Sequence, residues 1–365
     1  MATGYTVNNK NLNNLFYPLS SGGTSQIVNT KFRTLNSSTM KYSDLITSFA
    51  AYIPNTTPST LTNFYVDSYG KDLNQIFQNI NVPPYTLLKT VSNNQALCML
   101  TIDTSGNLYY SNSLTSTVSS SSKALTIYKY TPSTYSVSTL ISTAESNSQF
   151  VSSIGITFNS NGNLYIASWP SSVNANSCIF KYNLSSDTPT LSKYINGNNL
   201  NKPMGISFDG QGNIYVCNLG NNTVYKYDNT TVATKIKFIT SGGSTIAINQ
   251  PYGLAFDSSG NLYVGNLGAN QVIKYTPSTG ISSVFYSSSG MQPYGLTFDS
   301  NDNLYINDFN YAVVKKISTS GKVIYSYPVP YSSSGRPTGS AINKDGYIYS
   351  LNNNSSANTY YISMY

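Results

Sequence analysis

The sequence predicts an all-β six-bladed β-propeller with four-stranded blades, closed by strand 86–92 and preceded by a small N-terminal α+β domain over residues 1–83. Three observations carry this reading. One phrase, an apolar strand, a five-residue turn and a second strand, recurs six times between residues 100 and 352. Its turn residue falls at 106, 162, 212, 260, 302 and 346, a spacing of 42–56 residues that suits a blade of four short strands. The last copy stops after its third strand, while TLLKTVS at 86–92 stands unclaimed before the first.

Residues 1–83 lack the repeat and hold a weak duplication of their own, YTVNNKNLNNLF (5–16) and YVDSYGKDLNQIF (65–77). In each, a strand-like Tyr-x-Val leads into a helical turn. Leu12, Leu15 and Phe16, and again Leu73, Ile76 and Phe77, stand at i, i+3 and i+4, which puts one apolar stripe on each turn. YSDLITSFAAYI (42–53) reads as a further helix capped by Ser43. The stripes serve either as the core of this small domain or as a docking surface for a partner or a second copy. Pro83-Pro84 then makes a short stiff linker to the propeller, residues 84–365.

The six copies read LTIDTSGNLYYSN (100–112), ITFNSNGNLYIAS (156–168), ISFDGQGNIYVCN (206–218), LAFDSSGNLYVGN (254–266), LTFDSNDNLYIND (296–308) and SAINKDGYIYSLN (340–352). Asp or Asn opens each turn by accepting hydrogen bonds from the amides that follow, and Gly takes the position that needs positive φ. Asp302 stands in for that glycine in the fifth copy, a residue that tolerates the left-handed region. Third strands follow as IYKY, IFKY, VYKY, VIKY and VVKK, and ISSVFYSS (281–288) exemplifies the fourth. A lone blade exposes both faces, so each must stack on its neighbours. Strand 86–92 is the piece that completes the sixth blade and hides its edge.

The repeated pattern P-x-G-[LI]-x-[FI]-D-x-x-G-N-[LI]-Y resembles the NHL repeat, related to gluconolactonase/regucalcin propellers, over roughly 86–365. That resemblance implies the fold, and propellers of this kind span ligases, lyases, carriers and binding proteins. The N-terminal segment resembles those of structural proteins from large DNA viruses. The phrase Gly70-Lys71-Asp72-Leu73-Asn74-Gln75-Ile76-Phe77 is similar to one carried by phage tail proteins.

Composition narrows the chemistry. The chain has no histidine and a single glutamate, Glu145, which removes Ser-His-Asp and Cys-His nucleophiles and His-ligated zinc. A gluconolactonase-like channel metal, which the resemblance implies is held by Glu, Asn and Asp, finds its only glutamate far from a channel loop. Asn218, Asn266 and Asp308 leave a weak Ca²⁺ site as the one metal reading. Charged residues are 9% of the chain, the net charge is +7, and Arg33 and Arg336 are the only arginines, which argues against a nucleic-acid surface. Cys98, Cys178 and Cys217 lack CxxC spacing and read as buried thiols. Neither a signal peptide nor a membrane-length apolar run is present, so the chain reads as soluble and made in the cytosol.

The candidate binding face lies where the loops entering each first strand meet those joining second to third strands. Its residues are Trp169, Lys202, Met204, Asn218, Tyr252, Asn266, Tyr294, Asp308 and Arg336, an aromatic and amide-rich set suited to a glycan or a protein loop. Capping of the loop backbone is the competing role for Asn218, Asn266 and Asp308. Lysines at 129, 181, 226, 274 and 315 recur in the third strand, either as a cationic ring or as snorkelling stems. The resulting expectation is a non-enzymatic structural or interaction protein without a cofactor, a virion component docked to virion proteins or to copies of itself through 1–83. The alternative is a lactonase-like enzyme using the weak channel Ca²⁺.

Overall fold

The computed structural model describes residues 6–7, 10–11, 86–91, 95–114, 126–132, 134, 136–142, 153–169, 177–184, 190–228, 232–329, 335–354 and 359–364. Contacts divide the chain into Met1–Thr86 with Tyr365, and Leu87–Met364. In the first unit, β1 (Thr6–Val7) pairs antiparallel with β2 (Lys10–Asn11). The stripes Leu12, Leu15, Phe16, Leu73, Ile76 and Phe77 lie outside the described residues, as do the 42–53 helix, the Pro83-Pro84 linker and Glu145.

The second unit is a six-bladed propeller. The closing strand is β3 (Thr86–Val91). Blade I holds β4 (Gln95–Ile102), β5 (Leu108–Leu114), β6 (Thr126–Thr131) and β7 (Ser136–Ser142). Blade II holds β8 (Ser153–Phe158), β9 (Leu164–Ser168), β10 (Cys178–Asn183) and β11 (Thr190–Asn196). Blade III has β12 (Pro203–Phe208), β13 (Ile214–Asn218), β14 (Thr223–Tyr227) and β15 (Ala233–Lys235). Blade IV has β16 (Pro251–Phe256), β17 (Leu262–Asn266), β18 (Gln271–Thr276) and β19 (Ile281–Ser287). Blade V comprises β20 (Pro293–Phe298), β21 (Leu304–Asp308), β22 (Val313–Ile317) and β23 (Val323–Pro328). Blade VI is β24 (Gly335–Ile342), β25 (Ile348–Asn354) and β26 (Thr359–Met364), with β3 as its fourth strand. The first strands neighbour one another in order and β24 meets β4, so the ring closes as the orphan strand required.

The turns behave as their composition dictates. Gly106, Gly162, Gly212, Gly260 and Gly346 all have positive φ, and so does Asp302 at 57°. In blade IV, Asp257 Oδ1 accepts from the amides of Ser259 (3.1 Å) and Asn261 (2.8 Å), which closes the turn. Asp302 does more than tolerate its conformation. Its carboxylate accepts from Ser258 N (2.9 Å) and Ser258 Oγ (2.6 Å), tying the turn of blade V to that of blade IV.

Two repeated contacts build the seams between blades. The first is at the inner-strand glycine, which follows Pro-x in blades III to VI and Ser-Ile in blade II. A Cβ on Gly155, Gly205 or Gly253 would run into the backbone carbonyl of Met204, Tyr252 or Tyr294 on the next inner strand. On Gly339 it would fall 2.9 Å from Leu100 N, across the closing seam. The second contact is aromatic. The second-strand tyrosine meets the next blade's inner-strand phenylalanine edge to face: Tyr109–Phe158 at 5.0 Å, Tyr165–Phe208 at 4.7 Å, Tyr215–Phe256 at 5.0 Å and Tyr263–Phe298 at 4.8 Å. Second strands β9, β13, β17 and β21 are buried along their whole length because both their faces meet a neighbouring blade.

The seam between blades V and VI is different. Asn307 replaces the small residue found at Gly265, and Ser340, Ser350 and Ser363 replace the apolar row of Leu254, Val264 and Ile273. Ser340 Oγ donates to Asn307 Oδ1 (2.7 Å), Asn307 Nδ2 to Ser350 Oγ (3.4 Å), and Asn352 Nδ2 to Ser363 Oγ (2.7 Å). These groups are all buried, so their mutual hydrogen bonds offset the desolvation that each would otherwise suffer.

The glycine contact yields a direct test. Gly253→Ala should lower unfolding free energy by about 3 kcal/mol in urea denaturation, because the added methyl meets backbone that cannot swing away. Gly210→Ala, where a Cβ meets nothing within 4 Å, should stay within about 0.5 kcal/mol of the parent.

Candidate functional site

Inner strands run from the end that carries the glycine, or Met99 in blade I, to their Phe or Ile end along a central channel. Residues 99–102, 155–157, 205–207, 253–256, 295–298 and 339–342 line it, enclosing a cavity of about 300 Å³. No charged side chain is among the lining residues, and Thr101, Thr157, Ser207 and Thr297 are among the polar ones. Cross-strand pairs Pro203↔Asn218, Pro251↔Asn266 and Pro293↔Asp308 put the start of each inner strand and the end of its second strand at one mouth of this channel.

At that mouth the sequence candidates separate into two groups. Asn218, Asn266 and Asp308 are fully buried and hold loop backbone. Asn218 Oδ1 accepts from Asn201 N (3.0 Å), Asn266 Oδ1 from Asn249 N (2.7 Å), and Asp308 Oδ1 from Gln292 N (3.1 Å). The Asn266 amide also donates to Ala247 O (2.9 Å). Met204 is buried in the core. These four shape the mouth from beneath, and this geometry does not support a Ca²⁺ site built on Asn218, Asn266 and Asp308. Among the described residues no group of three or more His, Cys, Asp or Glu comes together.

Tyr252, Tyr294, Trp169, Lys202 and Arg336 form the second group. The Tyr252 and Tyr294 rings lie 4.3 Å apart, and Tyr294 stacks on Phe309 at 4.4 Å with planes 15° apart. This three-ring ladder spans blades IV and V, and all three rings are partly exposed. Lys202 Nζ sits 5.4 Å over the Trp169 ring between blades II and III. Among the described residues, Trp169 Nε1, Ser168 Oγ and Ser177 Oγ are buried without hydrogen-bond partners. Arg336 turns its Nη1 back to Gly335 O (3.0 Å). Phe309 was not among the sequence candidates. Aligning Asp308-Phe309 with Asn218-Leu219 and Asn266-Leu267 exposes it as an aromatic in place of leucine, as Trp169 is after Ser168 in blade II.

Blade V also corrects the lysine row. Strand register places Lys129, Lys181, Lys226 and Lys274 opposite Tyr109, Tyr165, Tyr215 and Tyr263, and opposite Tyr305 it places Lys316, not Lys315. The true row is a local unit. Lys274 reaches Asp257 (3.7 Å), Lys226 reaches Asp209 (3.8 Å) and Lys316 reaches Asp299 (3.0 Å), each lysine lying over its tyrosine ring. The tyrosine hydroxyl donates to the same carboxylate, as in Tyr109 to Asp103 at 2.9 Å. Burial first, and the adjacent carboxylate next, push the phenols of Tyr109, Tyr215 and Tyr263 well above their ordinary value, so they stay donors. Lys226, Lys274 and Lys316 are therefore each held to the aspartate of their own blade. In blade II, Asn159 stands where the carboxylate would be.

Lys315 instead occupies the position of Ile273 and faces inward to Asp308. Its Nζ lies 2.7 Å from Asp308 Oδ2, with Tyr311 and Tyr286 rings at 5.0 and 5.9 Å. Asp308 is fully buried and the Lys315 side chain is 12% exposed. The pair holds the loop carrying Phe309, whose amide donates to Gln292 O (3.0 Å). Cys178 and Cys217 are free and buried, and burial raises the Cys178 thiol to about 12 despite nearby Lys193, so neither is a nucleophile at neutral pH.

No protein-family model matches this chain, and no curated protein matches it. Solved structures do. A gluconolactonase of Xanthomonas campestris is 12% identical at a TM-score of 0.54, with 76% of this chain and 88% of that one covered. Regucalcin of Agrobacterium tumefaciens, a calcium-binding protein, is 15% identical at 0.54, covering 76% and 93%. A luciferin-regenerating enzyme is 17% identical at 0.52, covering 75% and 92%. At these identities the likeness is one of fold. It corrects the expectation of a non-enzyme: the shared architecture serves a gluconolactonase and a luciferin-regenerating enzyme.

Two outcomes follow from the ion pairs. Lys315→Ala strands a buried carboxylate and should cost about 3–5 kcal/mol in urea denaturation, whereas the double change Asp308→Asn/Lys315→Ile, which restores the pairing of blade IV, should recover most of it. For Asp299, burial raises the carboxyl, but hydrogen bonds from Asn303 and Lys316 outweigh it and hold the group below its ordinary value. Its folded pKa is depressed, so its contribution is present above the unfolded pKa and fades as pH falls below about 4. Stability measured against pH should therefore decline less steeply there in Asp299→Asn than in the parent.

Proposed function

We propose that the propeller binds a neutral, hydroxyl-rich ring compound, a sugar or sugar lactone, at the channel mouth. The observation that carries this reading is the Tyr252–Tyr294–Phe309 ladder. Stacked, partly exposed rings offer flat apolar faces to the C–H face of a sugar ring. The channel below has the dimensions of a small-molecule site, about 300 Å³, and its lining mixes apolar residues with Thr101, Thr157, Ser207, Thr297 and Ser340 and holds no charged side chain. A charged ligand would lose hydration there without gaining a counter-ion. Lys202 over Trp169 borders the mouth from blades II and III and supplies a donor to a ligand oxygen. The enzymes that share this architecture make turnover part of the proposal's test.

The proposal includes membership among NHL-type propellers, which rests on the six-fold phrase. It also includes placement in a virion through residues 1–83, docked to virion proteins or to copies of the chain. That placement rests on the Gly70–Phe77 phrase and the distinct N-terminal composition alone. Quantitative mass spectrometry of purified particles tests it, and absence of the chain from them sinks it.

The ligand reading is tested with a panel of neutral sugars and sugar lactones, following heat of binding and, by NMR, any conversion. A panel member should bind, and Tyr294→Ala or Phe309→Ala should weaken it by about tenfold, the loss of roughly one aromatic contact. Binding that ignores both substitutions would remove the site from the mouth, and failure of the whole panel would overturn the ligand class.

A further inference from the structure

Left-handed backbone is cheap for glycine and tolerable for Asn or Asp, but other residues adopt it at a cost in free energy. Residues held that way cluster at ligand clamps and active sites, where the strain serves the mechanism. Among the described residues, most of the left-handed positions without glycine belong to the tolerant kind: Asn198, Asn199, Asn222, Asn270 and Asp302. Three do not: Lys202 (φ 49°), Gln250 (φ 52°) and Ala312 (φ 54°). Ala312 has no polar side-chain group to offer a ligand. Lys202 and Gln250 have one, and both stand at the channel mouth.

The two occupy one position in successive blades. Each precedes the proline that opens its inner strand, Pro203 or Pro251, where extended backbone is preferred. The Lys202 carbonyl accepts from Leu219 N (3.1 Å) and the Gln250 carbonyl from Leu267 N (3.2 Å), as Gln292 O does from Phe309 N (3.0 Å) in blade V. Blade V makes this joint without the strain. There Asp308 Oδ1 takes the amide of Gln292 itself, and Gln292 has no positive φ. In blades III and IV, Asn218 and Asn266 reach one residue further back, to Asn201 N and Asn249 N, and the residue that follows turns left-handed. Glycine would fit that bend freely, yet the chain places long donors there. Asn222 of blade III fixes the Gln250 backbone, its Oδ1 accepting from Gln250 N (2.8 Å). Gln250 is exposed two residues before Tyr252 of the aromatic ladder, and Lys202 Nζ lies over the Trp169 ring.

We infer that Gln250 and Lys202 are specificity-determining residues of the mouth, held left-handed so that their side chains read the oxygen atoms of a sugar lying on the Tyr252–Tyr294–Phe309 ladder. The inference rests on the sugar reading of that site. Each side chain selects a different oxygen. The Gln250 amide both donates and accepts, which matches a hydroxyl. The Lys202 ammonium only donates, which matches a ring oxygen or the carbonyl oxygen of a lactone. Stacked rings accept any sugar of suitable shape, so discrimination between sugars that differ by one hydroxyl falls to polar contacts of this kind.

The test takes the panel sugar whose binding Tyr294→Ala weakens, together with its single-deoxy analogues, and measures heat of binding to the full chain. The parent should bind one deoxy analogue about fivefold more weakly than the full sugar, the worth of about one hydrogen bond. Gln250→Gly should bind the full sugar about fivefold more weakly and no longer tell the two apart. It should melt no lower than the parent, because glycine takes the left-handed bend freely. Lys202→Gly should weaken the full sugar to a similar degree and keep the discrimination that Gln250 supplies. A sugar that needs Tyr294 but binds both glycine variants as tightly as the parent overturns the inference and leaves the ladder reading standing. So does a Gln250→Gly chain that melts below the parent, since the side chain then serves the fold. If no panel member binds, the ladder reading fails and this inference falls with it.

Discussion

The close approach of one inner strand to the next, made possible by glycine at a single position of the repeat, is the constraint on which the molecule depends. With no Cβ at Gly155, Gly205, Gly253 or Gly339, backbone packs on backbone around the channel. That spacing draws the wedge of each blade to its apex. It also decides what the channel is: a narrow passage lined by strand edges and small side chains, with no room for a tier of long charged residues. The residue just before the glycine is carried inward with it. In blades IV and V that residue is Tyr252 or Tyr294, and the two rings touch because their strands do.

Around this constraint a single polar unit repeats. The turn aspartate closes its own turn, accepts the tyrosine hydroxyl and pairs with the lysine of the third strand, while the tyrosine ring packs on the next blade's phenylalanine. One tyrosine thus ties turn, sheet and seam together. Three of these lysines and three of these aspartates are held in such pairs, Lys226–Asp209, Lys274–Asp257 and Lys316–Asp299. The individuality of the protein lies where the unit is broken. Blade V holds an inward lysine on a buried aspartate, and its seam with blade VI is polar where the others are apolar.

The architecture is shared with proteins whose chemistry differs, so the fold alone does not choose a reaction. What this chain has at one mouth of its channel is the aromatic ladder Tyr252–Tyr294–Phe309 over a lining without charged side chains, and the proposed sugar ligand rests on that surface. The buried Asp308–Lys315 pair is consistent with that role. It fixes the loop bearing Phe309 from within, and the charges it needs are kept away from the channel lining.

Much of this was legible in the sequence, for a physical reason. Turn chemistry and strand periodicity are local, so six repeats of an Asp-opened turn, its positive-φ residue and an apolar strand determine blade number, strand order and the closing role of 86–92. Tertiary structure decided what depends on neighbours across a seam or on register. VVKK offers two adjacent lysines, and a slip of one residue moves a side chain to the opposite face, so only the paired strand shows that Lys316 joins the row while Lys315 turns inward to Asp308. Likewise Asn218 and Asn266 have the composition of a binding surface, yet the incoming loop buries them as its backbone partners. The serines of blade VI look like weakened core positions until Asn307 of blade V meets them. Local chemistry set the repeat, and packing between non-consecutive strands set what each copy's departures from it mean.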